Sequence, residues 1–141
     1  MTKKVLSIID RVMKRKAVGI IYNMPKNDVA ILQNRLLDEK KAIVIHGKDA
    51  FTSAMFLYRV QSILKIKHLS YHMIPTLIES KMIMVTQADL IKSSFNKVIS
   101  EAFQYKIPIL LLMNSDIAMP DFRKLKAYQR VFTIEQDFSK L

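Results

Sequence analysis

Residues 42–54, AIVIHGKDAFTSA, begin as a short apolar run and continue through a glycine-containing turn into a helical pattern. The apolar run has branched side chains and no polar alternation, which is typical of a strand buried on both faces. Phosphate-binding loops occupy this kind of strand-to-helix turn, and they need a second glycine followed by Lys and Ser or Thr. Here Gly47 takes the first glycine position, whereas Thr52, Ser53 and Ala54 replace the later three residues. The turn therefore has the frame of a phosphate site without its lysine.

Strand and helix patterns alternate outward from this turn. The predicted strands cover residues 42–45, 68–74, 81–85, 108–113 and 130–134. The predicted helices cover residues 3–16, a segment capped by Asn27 or Asp28, residues 50–65 and residues 90–105. Such alternation implies crossover connections and a mainly parallel sheet with helices on both faces.

The fold class is therefore α/β, with three layers and a mainly parallel sheet. We expect a basic helical N-terminal extension over residues 1–39 and the α/β domain over residues 40–141. Ligands bind beyond the carboxyl ends of parallel strands, which places His46, Thr86 and Asn114 along one edge of the domain.

Composition excludes several classes of protein. The chain has 141 residues, half of them hydrophobic, which suits one folded domain. With no cysteine, it has neither disulfides nor cysteine-ligated zinc. No apolar run approaches the roughly 20 residues that span a bilayer. Asp10 and Arg11 interrupt the apolar stretch that a signal peptide would need. We therefore expect a cytoplasmic protein that does not enter membranes.

Positive charge is concentrated in the first half of the chain. The 23 basic and 12 acidic residues give a net charge of +11. Residues 1–67 hold 14 of the basic residues and five of the acidic ones, a net charge of +9. This asymmetry predicts an anionic partner, either nucleic acid or an acidic protein surface, although a solvated lysine-rich surface would look the same. The candidate nucleic-acid-binding residues are Lys3, Lys4, Arg11, Lys14, Arg15 and Lys16.

Residues 107–138, IPILLLMNSDIAMPDFRKLKAYQRVFTIEQDF, carry a family resemblance. A proline and an apolar strand end in an Asn, and a polar stretch, an Arg-Val pair and a final strand follow. This order resembles the end of the ATPase core in superfamily 3 viral helicases, and a similar strand-to-Asn segment occurs in bacterial helicase loaders of the AAA+ class. The matching residues are Pro108, Leu110, Leu111, Leu112, Asn114, Asp116, Arg130, Val131 and Phe132.

The resemblance implies a P-loop NTPase type of fold with a degenerate nucleotide site. The positions that would form that site are Gly47, Lys48, Thr52, Ser53, Asn114 and Arg130. The paired acids that hold magnesium in this family are replaced by Thr86 and Gln87. Phosphoryl transfer depends on Lys and Mg²⁺ to neutralise charge. We therefore expect no ATPase activity, no catalytic residue, no cofactor and no bound metal.

The leading hypothesis is a non-catalytic accessory or regulatory protein of DNA replication, of the kind carried by phages or other mobile elements. Its partners would be nucleic acid, most simply DNA, a replication protein such as a helicase or polymerase component, or both, and it could form oligomers. One alternative is a pure interaction module that inhibits or mimics an ATPase. Another is an enzyme with a nonstandard ATP or NAD site, for which Glu101 is the candidate catalytic acid by similarity to the TIR-like group.

Overall fold

The computed structural model describes residues 3–50, 52–114, 128–131 and 133–141. The strands in these ranges are β1 (Val18–Tyr22), β2 (Ala42–His46), β3 (Met82–Thr86), β4 (Ile109–Met113) and β5 (Ile134–Asp137). The helices are α1 (Lys3–Arg15), α2 (Lys26–Asp38), α3 (Ser53–Leu64), α4 (Ile74–Ile78), α5 (Asn96–Tyr105) and α6 (Tyr128–Val131). Each of these helices is too short or too polar to cross a membrane.

The five strands form one parallel sheet in the order β2-β3-β4-β1-β5. Val18 of β1 lies opposite Ile109 of β4, and Gly19 lies opposite Ile134 of β5. The predicted α/β class with a parallel sheet is confirmed. β1 itself was not predicted, although residues 18–22, VGIIY, are an apolar run of strand length.

Helices cover both faces of the sheet. On one face, α1 and α2 bury side chains such as Val12 and Leu32 against strand residues such as Leu110. On the other face, α3 and α5 enclose a second cluster, in which the rings of Phe56 and Phe95 meet edge to face at 5.4 Å between centroids. Both rings are fully buried. Truncating either one to Ala would cost about 3–5 kcal/mol, so this cluster is a large part of the stability.

The position of β1 corrects the predicted division of the chain at residue 39. β1 lies between β4 and β5, and α1 packs directly on it. A Cβ at Gly19 would lie 2.7 Å from the Val12 Cγ2 atom, so the missing side chain permits this close packing. The described part of the predicted extension, residues 3–39, therefore contributes a strand and two helices to the main domain.

Two of the predicted strands differ from the structure. Residues 68–74 form a 3₁₀ turn over Tyr71–Met73 that leads into α4, and Pro75 lies in the first turn of that helix. Proline is tolerated there because its missing N–H would have no partner within the helix. The last strand begins at Ile134, and the predicted start at Arg130 lies in α6 instead. The second helix begins at Lys26, so Asn27 and Asp28 lie in its first turn and do not cap it.

Lysines take the left-handed conformation that often ends a helix. Lys16, Lys40, Lys65 and Lys106 have φ values of 49°, 56°, 56° and 56°. Glycine is favoured at such positions because a Cβ there costs roughly 1–2 kcal/mol. The chain has only two glycines, and both serve elsewhere. These lysines therefore combine local strain with a positive charge close to the ends of α1, α2, α3 and α5.

Candidate functional site

The sheet connectivity shows where a ligand site belongs in this fold. β1 continues into α2 on one face of the sheet, whereas the chain after β4 reaches α6, which packs on α5 at the other face. Neighbouring strands whose connections leave to opposite faces create a crevice at their carboxyl ends, where open α/β sheets bind ligands. The crevice lies between β4 and β1. The predicted phosphate loop follows β2, two strands further along the sheet, so it lies away from this crevice.

Residues 23–25 form the connection that follows β1. The Asn23 backbone N–H donates to the Met113 carbonyl oxygen at 3.0 Å, and its side-chain amide donates to the Asp137 carboxylate at 3.0 Å. Asn23 has a φ of 66°, which turns the chain sharply toward α2. This short connection is therefore tied to the strands on both sides of β1.

This connection does not fit a nucleoside triphosphate. A phosphate cradle needs several free backbone N–H groups on a glycine-rich loop. Residues 23–25 contain no glycine, the Asn23 N–H is already bonded, and Pro25 has no N–H. Lys26 begins α2 immediately afterwards, which leaves no length of loop to surround a phosphate chain.

Asp137 joins the ends of β1 and β5. Its Oδ1 atom accepts hydrogen bonds from the Ser139 hydroxyl at 2.6 Å, the Ser139 N–H at 3.0 Å and the Asn23 amide at 3.0 Å. The Ser139 hydroxyl, followed by the Asn23 amide, lowers the pKa of the Asp137 carboxyl. The carboxylate is therefore ionised and committed to holding the two strand ends together.

Gly47 has a packing role. It begins a 3₁₀ turn over Gly47–Asp49, and it is buried. A Cβ added there would lie 2.1 Å from the Gln87 backbone oxygen and 3.0 Å from that of Thr86. Only glycine allows the turns after β2 and β3 to come this close. The glycine predicted for a degenerate nucleotide site is thus explained by close packing between the two turns.

The other residues of the predicted loop also serve the local fold. The Thr52 hydroxyl accepts a hydrogen bond from the Met55 N–H at 3.2 Å, which caps the start of α3. Ser53 is the first residue of α3 and is half-buried. Lys48 is exposed and faces a cavity at the carboxyl edge of the sheet.

This carboxyl-edge cavity has a volume of about 330 Å³. His46 and Thr86 form one side of it, and the His46 Nδ1 and Thr86 Oγ1 atoms are 2.5 Å apart. Lys26 and Lys48 are the basic residues that line it, and none of the described lining residues is acidic. The remaining lining residues are Val29, Ala30, Gln33, Gln87, Leu112, Met113 and Asn114.

Asn114 and Arg130 are not brought to one site. Asn114 ends β4 and lines the carboxyl-edge cavity, and its backbone N–H donates to the Asp89 carboxylate at 3.4 Å. The Arg130 guanidinium carbon lies 5.8 Å from the centroid of the Phe103 ring, on the face of the sheet that α5 covers. Asp116, another residue of the resemblance, and Phe132 lie outside the described residues.

Glu101, the acid of the NAD-site alternative, does not line the carboxyl-edge cavity. It lies on α5, near Tyr71. Burial, followed by the Glu101 charge, raises the pKa of Tyr71 to about 12. Within the described part of the chain, no group of three His, Asp or Glu side chains is arranged to hold a metal ion.

Half of the predicted nucleic-acid-binding residues converge on one groove, which we call the α1 groove. Lys3, Lys4 and Arg11 line it along α1, and Lys140, near the end of the chain, adds a fourth cation. The other lining residues are Ser7, Ile8, Gln136 and Leu141, so no acidic side chain lines the groove among the described residues. Lys140 was not predicted, because nothing in the sequence indicates that β5 lies beside β1.

The other three predicted basic residues lie toward the opposite end of α1. Lys14 forms an ion pair with Asp10 at 3.0 Å, and Arg15 is exposed. Lys14 and Lys16 line a different groove, at the amino edge of the sheet. Five of the six residues therefore divide between two grooves toward the two ends of one helix, and Arg15 lines neither groove.

Comparison with known proteins supports the fold at the level of architecture. No protein-family model matches the chain. No curated protein matches it either. Among solved structures, it is similar to the ORC2 protein of Aeropyrum pernix, which was solved as ADPNP-ADP complexes. The TM-score is 0.60 at 10% sequence identity, and the match covers 95% of this chain and 46% of the other. The chain thus spans just under half the length of that protein. The likeness shows an α/β fold of the AAA+ and P-loop NTPase type.

Proposed function

We propose that this protein is a non-catalytic accessory or regulatory protein of DNA replication that binds nucleic acid through the α1 groove. The observation that carries the proposal is the set of four cations, Lys3, Lys4, Arg11 and Lys140, around one open groove whose described lining holds no acidic side chain. The groove has a volume of about 580 Å³ and is open to solvent, as contact with a polymer backbone requires.

Two further observations support a binding role in replication. The short connection after β1 leaves no cradle for a triphosphate, so the described residues favour binding over hydrolysis. One structural neighbour is the ORC2 protein of Aeropyrum pernix, and a role in replication would fit that likeness. A relationship to viral helicases or helicase loaders would fit the same architecture and forms part of this proposal.

Cations that contact phosphates bind without regard to sequence, and they release counterions when they do so. Four contacts predict a salt slope of about −3 for single strands, which is a loss of roughly 50-fold in affinity between about 50 and 200 mM salt. Fluorescence anisotropy with a labelled oligonucleotide, as a single strand and as a duplex, measures this directly. Absence of binding at low salt would overturn the proposal.

The charge-reversal variant Lys4→Glu/Arg11→Glu tests the groove itself. We expect it to lower the affinity by at least about tenfold, since two attractive contacts become repulsive. The matched control is Lys67→Glu/Lys97→Glu, which changes the net charge equally at two exposed residues outside the groove. If both variants lose the same affinity, net charge and not the groove governs binding.

A second candidate function, protein–protein interaction, is favoured by β2. This strand lies at the edge of the sheet and, among the described strands, pairs only with β3. Beside it, α3 exposes Tyr58 and Ile63, which are 61% and 45% accessible. An edge strand flanked by exposed apolar side chains suits a protein partner such as a helicase or polymerase component.

A pull-down of purified replication proteins after nuclease treatment separates the two functions. Capture that survives nuclease and is lost in Tyr58→Asp/Ile63→Asp would favour the β2 edge. Leu77→Asp, an exposed apolar residue on α4, is the control and should capture as the wild type does.

A further inference from the structure

Lysines from four separate segments of the chain meet at the amino edge of the sheet. They line a groove of about 360 Å³, which we call the amino-edge groove. Its cations are Lys14, Lys16, Lys41, Lys81 and Lys106, and its carboxylates are Asp10 and Glu79. Each segment either ends a helix or leads into a strand, so the parallel topology brings together residues that are far apart in sequence.

Three of these lysines are available to a ligand. Lys14 is paired with Asp10 at 3.0 Å, and Lys41 with Glu39 at 3.0 Å. No ion pair among the described residues engages the other three, Lys16, Lys81 and Lys106. The groove therefore keeps a net positive charge, and its free cations come from the turns before β1, β3 and β4.

The backbone at two of the free lysines favours glycine. Lys16 and Lys106 have φ values of 49° and 56°, in the left-handed region where a Cβ is strained. In α1, the last turn already carries basic side chains, so its dipole does not require Lys16. Glycine would serve the chain geometry better at both positions, so what the lysine side chain adds is a cation facing the groove.

We propose that the amino-edge groove is a second phosphate-binding surface for the same nucleic acid that occupies the α1 groove. This inference rests on the proposed function. The two grooves lie toward the two ends of α1, which has 13 residues and a length of about 20 Å. That length matches about six nucleotides along one strand of a duplex. The exposed Arg15 is the last residue of the same helix and lies between Lys14 and Lys16 in sequence.

The strained lysines allow a test in which folding and binding change in opposite directions. In Lys16→Gly/Lys106→Gly, relief of strain should raise the melting temperature by about 3 °C or more. Affinity for a DNA duplex should nevertheless fall several-fold, with a salt slope that is shallower by about 1.8 because two phosphate contacts are lost. A variant that binds duplex as tightly as the wild type would overturn the inference.

Lys40→Gly/Lys65→Gly is the matched control, because both residues have the same left-handed conformation and neither lines the groove. It should raise the melting temperature and leave the affinity unchanged. An equal loss of affinity in this control would show that net charge is responsible, and the inference would fail.

Lys81 gives a second test that does not depend on the left-handed backbone. Lys81→Gln should weaken binding and Lys81→Arg should preserve it, since the proposed phosphate contact requires only a positive charge. Equal binding by both variants contradicts the inference. The proposed function is judged separately: if wild-type protein binds and Lys4→Glu/Arg11→Glu does not, that function stands even when the amino-edge variants bind normally.

Discussion

Gly47 lies so close to Gln87 that an added Cβ would be 2.1 Å from the Gln87 backbone oxygen. The contact joins the turn after β2 to the turn after β3, and both turns border the carboxyl-edge cavity. Because the Gln87 oxygen belongs to the backbone, it cannot move away by a simple change of side-chain rotamer. The position therefore fixes one wall of the cavity.

We expect Gly47→Ala to destabilise the protein by about 3 kcal/mol, since overpacking against a buried backbone forces the two turns apart. Gly19→Ala is the comparison, because its nearest neighbour is the Val12 side chain, which can yield slightly. Its cost should be nearer 1 kcal/mol. Urea denaturation measures both variants, and an equal cost would contradict the backbone explanation.

Thr52→Ala should lower the free energy of unfolding by about 1 kcal/mol, because α3 loses the cap on the Met55 N–H. Thr52→Ser keeps an oxygen at the same place and should retain most of the stability. If neither substitution has an effect on thermal unfolding, the capping role is refuted.

Tyr71 predicts a loss of stability at alkaline pH. Burial, with the Glu101 charge, raises the pKa of this hydroxyl to about 12 from 10.0, so the folded state holds the proton more tightly than the unfolded state. The stabilisation is complete below about pH 10 and disappears as the pH rises toward 12. Tyr71→Phe should remove this part of the pH dependence of urea denaturation.

The same substitution should not weaken the protein at neutral pH. The buried Tyr71 hydroxyl has no hydrogen-bond partner among the described residues, so its removal relieves an unsatisfied polar group. We expect Tyr71→Phe to be neutral or stabilising by about 1 kcal/mol. A marked destabilisation would show that the hydroxyl is bonded.

ATP with Mg²⁺ should leave the melting temperature within about 1 °C of that of the free protein, whereas saturating DNA at low salt should raise it by several degrees. The reason is that residues 23–25 offer no phosphate cradle, while the α1 groove offers four cations. A large shift with ATP or NAD that disappears in Lys48→Ala or Ser53→Ala would instead support a nonstandard nucleotide site.

The sequence was sufficient to predict the fold class but not the position of the candidate site. Alternating apolar runs and helical patterns predicted three layers and a parallel sheet, and β2, β3 and β4 lie within a residue or two of their predicted bounds. β1 was missed because residues 18–22 follow α1 almost directly and contain Gly19, which weakens a strand pattern. Because β1 was missed, the crevice between β4 and β1 was not anticipated.

Strand order depends on contacts between distant residues, which local patterns do not contain. The basic face of α1 was visible in the sequence, but its division into two grooves was not. Lys140 joins one groove, and Lys41, Lys81 and Lys106 join the other, because strand pairing puts them there. The charge of the sequence therefore predicted the kind of partner, whereas locating the candidate binding surface required the strand order.

The position of β1 between β4 and β5 also bears on how the chain folds. Its partners are supplied late, since Val18 pairs with Ile109 and Gly19 with Ile134. During synthesis, α1 and β1 leave the ribosome long before β4 and β5 are made. Until then, both edges of the apolar strand β1 have no partner strand. Such non-local pairing slows folding and exposes the chain to aggregation. The lysines that flank β1 on α1 and α2 would keep this early segment soluble while it waits.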